Sequence, residues 1–403
     1  MALAVLSCLA LGAAPTAARP QATPALPAMT YIPVGPAGAR SPLDNHGVLL
    51  GAFPSPSAGA APRMLSRLIL GTDHLGKVPA SQTEAVLDEA VRLGINAFDT
   101  APIYASDIEA RLGRWLARQP RRDLYVITKG GFPRDTGPGT YRSRLVGDRA
   151  QIVADVREEV EPSRARFGRA ITIYLMHRDD ADFQDYRRVP RPQTPARAIL
   201  EALADPAISS NYEMIGLSNW EADRVDEAVR EATASPTLAQ PVCHSPYFSL
   251  LEMGPVTIHS GGVQVTHTQM MRRDFQPGVR LMTYSPLGGF SVVRPGWPAA
   301  RQRALALKQQ RDRYWGNVHD AIFHPANERR YRRAEAFTRS LNARLGTRYS
   351  LDQVLDAYAL AHPRSEFVVI GPRTVAQLRR TVGALEVARH LTPRDLDHLY
   401  EGP

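Results

Sequence analysis

The stretch INAFDTAPIY (residues 95–104) contains an apolar run that ends on a carboxylate, Asp99, and reaches a phenol, Tyr104, five residues later. A second apolar run, YVITKGG (residues 125–131), leads to an ammonium, Lys129. Short apolar runs bounded by polar residues or glycine are typical of strands buried on both faces of a parallel sheet. We therefore expect buried strands that deliver a carboxylate, a phenol and an ammonium at their carboxyl ends.

Runs of the same kind recur along the chain after Leu65, and amphipathic helix-like stretches separate them. The strand-like runs are RLILGT (67–72), NAFDTA (96–101), LYVITK (124–129), ITIYLMH (171–177), MIGLSN (214–219), PVCHSPY (241–247), RLMTYSP (280–286) and FVVIGP (367–372). Eight such units over roughly 330 residues predict one closed (β/α)8 TIM barrel across residues 64–400. The alternative is an open doubly wound sheet, which needs a GxGxxG turn after its first strand, and LGTDHLG (70–76) is not one.

The first helix-like stretch, SQTEAVLDEAVRLG (residues 81–94), has recognisable features at both ends. Ser81 with Glu84 three positions later predicts a capping box at the start of the helix. Gly94 predicts the end of the helix, because glycine readily adopts the left-handed conformation that stops one.

The longest irregular stretch, residues 288–337, follows the seventh predicted strand and carries Trp297 and Trp315. In a TIM barrel this long insertion would hang over the carboxyl-end face, where active sites form. Two interpretations stay open, a lid over the site or a surface excursion with helices of its own.

The composition excludes several classes of function. The chain has 403 residues, 44% of them hydrophobic, and its formal charge of +9 is spread along the whole length. Because no dense block of Lys and Arg occurs, we expect no nucleic-acid partner. Two distant cysteines, Cys8 and Cys243, exclude a disulfide framework, and no His/carboxylate cluster has metal-ligand spacing, so we expect no metal.

Lysine is rare in this chain, since only three of the 49 basic residues are lysines. Coding bias toward arginine accounts for the skew itself. A lysine that is kept is still informative, because it offers a compact charge and exchanges its proton more readily than arginine does. Lys129, at the end of a strand, is therefore a candidate functional residue.

Residues 1–63 are rich in Ala, Pro, Gly and Ser, and we interpret them as a poorly structured leader and linker outside the barrel. The apolar start, MALAVLSCLALGAAPTAARPQA (1–22), is too short to span a bilayer and lacks a basic beginning. A secretory signal with its basic part upstream, an organellar transit segment and a disordered extension all stay open. The predicted location is accordingly either the cytoplasm or an exported one, and no integral membrane segment is expected.

Polar residues recur where the predicted strands end. They are Asp99, Lys129, His177, Asn219, Ser245 and Ser285. Taken singly, each has a structural explanation, as a turn former or a satisfied buried residue. Because the carboxyl ends of barrel strands meet at one mouth, their recurrence there predicts an active site.

Several motifs together resemble the aldo-keto reductase superfamily, in the expected order and spacing between Leu65 and Arg389. They are GINAFDTAPIYASDIEARLGRWL, VITKGG, YLMHRDD, GLSNW, MTYSPLGG and VIGPRTVAQL. The HRDD and GLSNW forms are most similar to bacterial-type reductases and to relatives that include potassium-channel β subunits.

The resemblance implies a catalytic tetrad. Tyr104 would donate a proton to the substrate carbonyl, Lys129 would lower the pKa of that phenol, and Asp99 would pair with the lysine. His177 would orient the carbonyl oxygen. An ammonium beside a phenol favours the phenolate, so these residue types suit the roles.

The resemblance also implies a nicotinamide cofactor, NADPH in preference to NADH, because Arg373 and the start of the last helix suit a 2′-phosphate. The implied cofactor-binding residues are Gly71, Thr72, Asp99, Ser218, Asn219, Ser245, Phe248, Ser285, Leu287, Gly289, Gly371, Arg373 and Gln377. Ser245 stands where the family usually has Gln, and Phe248 stands where it usually has a stacking Tyr. Arg380 and Thr381 replace a frequent Glu-Asn pair, which weakens the adenine contact but removes a negative charge near the phosphate.

The implied function is an NADPH-dependent, reversible reduction of an aldehyde or ketone to an alcohol. The alternative is a regulatory module that binds NADPH and turns over slowly, as channel β subunits do. Substrate choice is expected to lie with Tyr104, His177 and the mouth loops 132–147, 177–195 and 288–337. Trp220 and Trp297 would form an apolar substrate wall or serve as ordinary packing residues. The sequence does not indicate an oligomeric state.

Overall fold

The computed structural model describes residues 50–53, 63–105, 107–137, 140–180, 183–184, 194–259, 261–289 and 296–402. Its strands are β1 (Leu50–Phe53), β2 (Arg63–Ser66), β3 (Leu68–Gly71), β4 (Ala97–Asp99), β5 (Tyr125–Gly130), β6 (Arg134–Gly137), β7 (Thr140–Arg142), β8 (Ile171–Met176), β9 (Phe183–Gln184), β10 (Tyr212–Ser218), β11 (Pro241–Ser245), β12 (Arg280–Tyr284) and β13 (Phe367–Ile370). Eight of them close into a parallel barrel in the order β3-β4-β5-β8-β10-β11-β12-β13. The predicted TIM barrel is confirmed, and each barrel strand overlaps a predicted one.

The barrel is filled by one set of alternating side chains, because successive residues of a strand point to opposite faces. The inner cluster consists of Leu65, Ile69, Ala97, Ile127, Ile173, Leu175, Met214, Val242, Cys243, Met282, Phe367 and Val369. Intervening residues such as Phe98 and Val126 belong to the outer core against the helices. Asp99, Lys129 and His177 each follow an inward-facing residue by two positions. They therefore point into the mouth of the barrel.

Helices surround the barrel. They are α1 (Ala80–Arg92), α2 (Ile108–Ala117), α3 (Arg149–Phe167), α4 (Ala196–Leu203), α5 (Pro206–Ser209), α6 (Ala222–Ala234), α7 (His267–Met271), α8 (Trp297–Gln309), α9 (Arg313–Ile322), α10 (Pro325–Leu345), α11 (Leu351–Ala361), α12 (Val375–Val382), α13 (Ala384–Ala388) and α14 (Pro393–Tyr400). A short 3-10 turn, Leu75–Lys77, precedes α1.

The capping box predicted for Ser81 and Glu84 is wrong. The helix α1 begins at Ala80, and its N-cap is Pro79, two residues before Ser81 and without a side-chain cap. The hydroxyl of Thr83 instead donates to the backbone oxygen of Leu75 at 2.9 Å, which ties the first turn to the preceding loop. The predicted end is confirmed, since Gly94 has φ +85° immediately after the helix.

The insertion after β12 is built largely from the helices α8, α9 and α10, so it is an excursion with helices of its own. These helices have their own apolar cluster, in which Trp297 and Ile322 pack with Leu251 and Met253 from the loop after β11. Because the insertion shares this core with a mouth loop, it is fixed beside the carboxyl-end face. A role as a lid stays a prediction.

Two smaller sheets flank the barrel. The strand β1, within the stretch predicted as leader and linker, pairs antiparallel with β2. Residues 1–49 and 54–62 lie outside the described residues. The strands β6, β7 and β9 form a three-stranded sheet from the loops after β5 and β8. Among the helices of the described ranges, not one has the length and apolar character that crossing a bilayer requires.

Candidate active site

The predicted catalytic residues meet at the ammonium of Lys129. Its Nζ lies 2.6 Å from each carboxylate oxygen of Asp99, 3.0 Å from the backbone oxygen of Thr100 and 3.0 Å from the Tyr104 hydroxyl. A lysine ammonium is only a donor, so the Tyr104 oxygen accepts from it. The Tyr104 hydroxyl can therefore donate its own proton to another acceptor at the mouth.

Strand alternation and a tight turn explain this meeting. Asp99 is the last residue of β4 and Lys129 the next to last of the neighbouring β5, and each continues the inward alternation of Ala97 and Ile127. The chain then turns, with the Tyr104 backbone N–H donating to the oxygen of Ala101 at 3.1 Å. This turn brings the phenol back over the end of its own strand.

Burial dominates the electrostatics of the pair and of the phenol. Burial raises the pKa of the Asp99 carboxyl, and the Lys129 ammonium opposes that rise. The pKa of Tyr104 lies well above its usual value, because burial and the carboxylates of Asp99 and Asp73 favour the neutral phenol. The lowering of this pKa by Lys129 stays a prediction. Tyr104 is protonated and ready to donate throughout the neutral range.

His177 lies beside the phenol as a neutral ring. Its centroid is 6.2 Å from that of Tyr104 and 5.1 Å from that of Phe132, both edge-on. Burial holds the pKa of His177 well below its usual value, and the nearby charges of Arg178 and Lys129 lower it further. Near neutral pH the imidazole keeps one N–H to donate.

The Asn219 amide and the Ser218 hydroxyl form one network with two backbone oxygens next to His177. The Asn219 Nδ2 donates to the His177 backbone oxygen at 3.2 Å and to the Ser218 Oγ at 3.0 Å. The Ser218 Oγ donates in turn to the backbone oxygen of Ser245 at 3.0 Å. Asn219 also has φ +58°, a conformation that asparagine tolerates better than most residues. Ser218, Asn219 and Ser245, three of the residues predicted to bind the cofactor, are thus brought together.

Tyr284 is a mouth residue that the sequence interpretation missed. Its hydroxyl donates to the Asn219 Oδ1 at 2.6 Å, and burial raises its pKa to about 12. The residue two positions earlier, Met282, points into the barrel, so strand alternation was the signal that could have identified Tyr284. Sequence reasoning instead selected its neighbour Ser285.

Phe248 lies in the outer core rather than at the mouth. Its ring stacks on Tyr358 of α11 with centroids 5.8 Å apart and meets His362 edge-on at 4.8 Å. Its ring therefore packs against the outer helical layer. Tyr284, by contrast, is bonded to Asn219 of the network beside His177.

The loop after β12 forms a backbone cradle. Ser285, Gly288 and Gly289 have φ values of +59°, +81° and +82°, and the Gly288 N–H donates to the Ser285 oxygen at 3.0 Å. Leu287 packs on the outer core and anchors the loop. Such consecutive turns expose backbone N–H groups, which suits a diphosphate.

The predicted 2′-phosphate site is assembled from the last and first loops. The Nδ1 of His74 lies 3.0 Å from the backbone oxygen of Gly371. The Gln82 side chain donates to the Arg373 backbone oxygen at 2.7 Å. Thr374 caps α12, and the Gln377 side chain accepts from the Arg373 N–H at 2.8 Å. The Arg373 side chain is exposed, and we find no ion pair for its guanidinium within the described ranges.

The chemistry of these groups fits a nicotinamide dinucleotide. Thr72, next to Gly71 at the end of β3, has a buried hydroxyl without a hydrogen-bond partner among the described residues. The cradle offers backbone donors, the exposed Arg373 offers a cation, and the Asn219 network offers amide groups. Each kind of group suits one part of such a cofactor.

The two predicted substrate-wall tryptophans are packing residues in this state. Trp220 is fully buried, with the Arg224 guanidinium 5.2 Å from its ring centre. Trp297 is 3% exposed and packs on Phe323, with centroids 4.9 Å apart, inside the helical insertion. A direct role in substrate binding stays a prediction for both.

Two carboxylates on the surrounding helices hold the end of β5 by hydrogen bonds. Sequence reasoning did not identify these contacts. Glu109 of α2 accepts from the Thr128 hydroxyl at 2.6 Å, directly before Lys129. Glu159 of α3 accepts from the Gly131 N–H at 2.6 Å, two residues after Lys129. The end of β5 is thus held from two helices.

The loop that follows His177 is clamped where it leaves and where it returns. Asp180 accepts from the Thr194 N–H at 2.5 Å. Arg224 pairs with Asp179 at 3.0 Å and donates to the Thr194 backbone oxygen. The residues between the two ends of this clamp include Phe183–Gln184, which form β9.

Comparison with known proteins agrees with this geometry. The model of the Aldo/keto reductase family matches residues 67–401, which is most of the chain. The chain belongs to the aldo/keto reductase family. The resemblance seen in the motifs is confirmed, and this aldo-keto reductase is an oxidoreductase of a family that uses nicotinamide cofactors.

Curated relatives are similar over between 40% and 84% of the chain. The uncharacterized oxidoreductase YrpG of Bacillus subtilis is 28% identical over 352 residues, which cover 84% of this chain and 93% of that protein. The 6-dehydroglucose reductase of Novosphingobium aromaticivorans is 25% identical over 325 residues, 77% of this chain and 83% of that enzyme. The NADH-specific methylglyoxal reductase of Escherichia coli is 32% identical over 177 residues, 40% of this chain and 51% of that enzyme.

Proposed function

We propose that this aldo-keto reductase reduces an aldehyde or ketone to an alcohol with NADPH and also runs the reverse reaction. The observation that carries the proposal is the series of hydrogen bonds from Asp99 through Lys129 to Tyr104. It ends on a protonated phenol at the barrel mouth, which is the group that carbonyl reduction requires as a proton donor.

The proton steps follow from the residues of the site. When bound, the reduced nicotinamide supplies a hydride to the carbonyl carbon. Tyr104 gives its proton to the carbonyl oxygen as negative charge grows there, and Lys129 stabilises the phenolate that is left. Solvent then returns a proton to Tyr104. His177, being neutral, donates a hydrogen bond to the same oxygen and holds its orientation.

The neighbouring residues support a bound nicotinamide. The Ser218, Asn219 and Ser245 network would hold the carboxamide, and Tyr284 would offer its ring face to the pyridine. Thr72 and Asp99 line the same end of the barrel. Phe248 is less suited to stacking, because its own ring faces Tyr358 and His362.

NADPH is the proposed cofactor because of Arg373. An exposed guanidinium beside the start of α12 suits a 2′-phosphate, which NADH lacks. The NADH-specific E. coli relative makes NADH the natural comparison. Binding of the two cofactors, followed by fluorescence, decides between them.

We propose small, oxygen-rich carbonyl compounds as the substrate class. The names of two relatives, a methylglyoxal reductase and a 6-dehydroglucose reductase, support this class. The buried positions of Trp220 and Trp297 agree with it, because neither indole forms an open apolar wall.

Steady-state turnover tests the proposal. The purified chain should oxidise NADPH with at least one compound from a panel of methylglyoxal, glyceraldehyde, aldoses and benzaldehyde, at roughly 1–10 s⁻¹. Turnover below about 0.01 s⁻¹ with every compound, despite NADPH binding, would overturn the proposal. That outcome would favour the regulatory NADPH-binding module instead.

A further inference from the structure

Glu109 of α2 is a buried carboxylate outside the tetrad, and three donors engage its oxygens. It accepts from the Thr128 hydroxyl at 2.6 Å, from the Ser163 hydroxyl at 3.0 Å and from the Arg166 guanidinium at 2.8 Å. A carboxylate away from water is stable only while such donors replace its hydration. The three donors therefore hold Glu109 in one position.

The α3 side of this carboxylate is a firm anchor. Ser163 and Arg166 both belong to α3. One turn after Glu109, the backbones of α2 and α3 also come into close contact, because the Arg166 backbone oxygen occupies the space that a Cβ on Gly113 would need. Two donors and this helix contact fix Glu109 relative to α3.

Thr128 connects the anchor to the catalytic lysine. It directly precedes Lys129 on β5. Neighbouring side chains of a strand point to opposite faces, so Thr128 faces α2 outside the barrel while Lys129 points into the mouth. Because one peptide unit joins the two residues, a shift of Thr128 would shift Lys129 as well.

The helix that carries Glu109 also ends the loop that carries the phenol. This helix, α2, begins four residues after Tyr104. On its other side the loop packs on the 3-10 turn, where the Ala105 backbone oxygen leaves no room for a Cβ on Gly76. A shift of α2 relative to β5 would therefore change the separation between Tyr104 and Lys129.

We propose that Glu109 is a positioning residue that, through Thr128, sets the distance between the Lys129 ammonium and the Tyr104 hydroxyl. That distance is 3.0 Å, and a hydrogen bond weakens quickly as its donor and acceptor separate or lose alignment. This inference rests on the proposed function, in which the ammonium stabilises the phenolate that remains after Tyr104 gives its proton. Glu109 itself contacts α3 and β5 and acts through them.

Thr128→Val tests the proposal, because it removes the hydroxyl, keeps the shape of the side chain and leaves Ser163 and Arg166 to satisfy Glu109. We expect kcat for carbonyl reduction to fall about 10–100-fold, the effect of a misplacement of up to about 1 Å. KM and the Kd for NADPH should stay within about twofold of wild type, because the binding groups keep their places. Thr128→Ser retains the hydroxyl and should retain most of the rate. A wild-type kcat in Thr128→Val would overturn the proposal.

Ser163→Ala is the matched control. It also removes one hydroxyl from the same carboxylate, but on the α3 side, where Arg166 keeps Glu109 in place. A purely structural role of the carboxylate predicts equal effects of the two variants. We expect kcat of Ser163→Ala to lie within about threefold of wild type. Equal losses of kcat in Ser163→Ala and Thr128→Val would overturn the proposal.

The scarcity of lysine allows a readout without turnover. The chain has three lysines, and Lys77 and Lys308 form exposed ion pairs. In ¹⁵N-lysine-labelled protein that carries Lys77→Arg and Lys308→Arg, the only labelled ammonium is that of Lys129. Its protons exchange with water when its hydrogen bonds open, so NMR measures how firmly it is held.

Thr128→Val should speed this exchange at Lys129 by about 3–10-fold, roughly the equivalent of one hydrogen bond. Ser163→Ala should leave the exchange at the wild-type rate. Equal exchange in both variants would overturn the proposal even if the chain reduces carbonyl compounds. The expected difference would uphold it even if the chain turns over no substrate.

Discussion

The ammonium nitrogen of Lys129 lies 3.0 Å from the phenolic oxygen of Tyr104 and donates a hydrogen bond to it. The same nitrogen is held by both oxygens of a buried carboxylate, so it has little freedom to move. A phenol held in this way presents its proton in a fixed direction at the mouth. Substitutions of single residues can therefore measure what each group contributes to activity and to stability.

Removing the phenolic hydroxyl should abolish most of the activity while leaving the fold intact. We expect Tyr104→Phe to lower kcat/KM for carbonyl reduction by about 10²–10⁴-fold, the usual contribution of a positioned acid. NADPH binding, measured by fluorescence, should be unchanged. A variant that keeps most of the wild-type rate would show that another group supplies the proton.

Removing Lys129 should cost stability as well as activity, because it leaves the Asp99 carboxylate buried without its partner. We expect Lys129→Met to lower the free energy of unfolding by about 3 kcal/mol. The double variant Lys129→Met/Asp99→Asn carries no buried charge at this point and should recover part of that loss without recovering activity. Urea unfolding measures the stability of the single and the double variant. Equal stability of the two would contradict the ion pair between Lys129 and Asp99.

Removing the Arg373 guanidinium should weaken NADPH binding selectively. We expect Arg373→Ala to raise the Kd for NADPH by about 10–100-fold, the value of charge-assisted hydrogen bonds to a phosphate. The Kd for NADH should barely change. Arg389→Ala is the matched control, since Arg389 is a surface arginine that contacts Glu386 at 3.6 Å. Equal losses for both cofactors would exclude a 2′-phosphate contact.

Glu159 should make stability fall as pH rises. Burial raises its pKa from 4.5 to about 7, so the folded state holds this proton more tightly than the unfolded state does. The resulting stabilisation is complete below about pH 4.5 and is lost as pH rises through about 7. Glu159→Gln keeps an oxygen for the Gly131 N–H but cannot ionise.

The free energy of unfolding of Glu159→Gln, relative to wild type, should therefore be higher at pH 8 than at pH 5. The difference should be at most about 3 kcal/mol. Glu158→Gln, which changes an exposed neighbour on the same helix, should show no such trend. A flat difference between Glu159→Gln and wild type would show that Glu159 ionises normally.

The barrel could be predicted from the sequence because its strands are short apolar runs at regular spacing. The meeting of Asp99, Lys129 and Tyr104 was equally predictable, since barrel strands end at one mouth and family motifs identify the residues. Strand alternation could have added Tyr284, which follows the inward Met282 by two positions.

Long-range contacts could not be predicted from the sequence. The position of Phe248 depends on Tyr358, more than a hundred residues away, and no local pattern records that stacking. The pKa of Tyr104 depends on its burial and on the distances from its hydroxyl to the charges of Asp99 and Lys129. The sequence does not contain those distances. The N-cap of α1 lies at Pro79, two residues before the predicted Ser81, and Thr83 bonds to the preceding loop.

The clamp made by Asp180, Thr194 and Arg224 has an evolutionary consequence. It fixes the two ends of the connection after β8 to the barrel and to α6, whatever sequence runs between them. Because the entropy of closing a loop grows only slowly with its length, that interval can gain, lose or exchange residues at little cost to the scaffold. Chimeras that keep the clamp but carry this interval from a relative should have the substrate specificity of that relative. They should still catalyse the reaction of the chain that supplies the barrel.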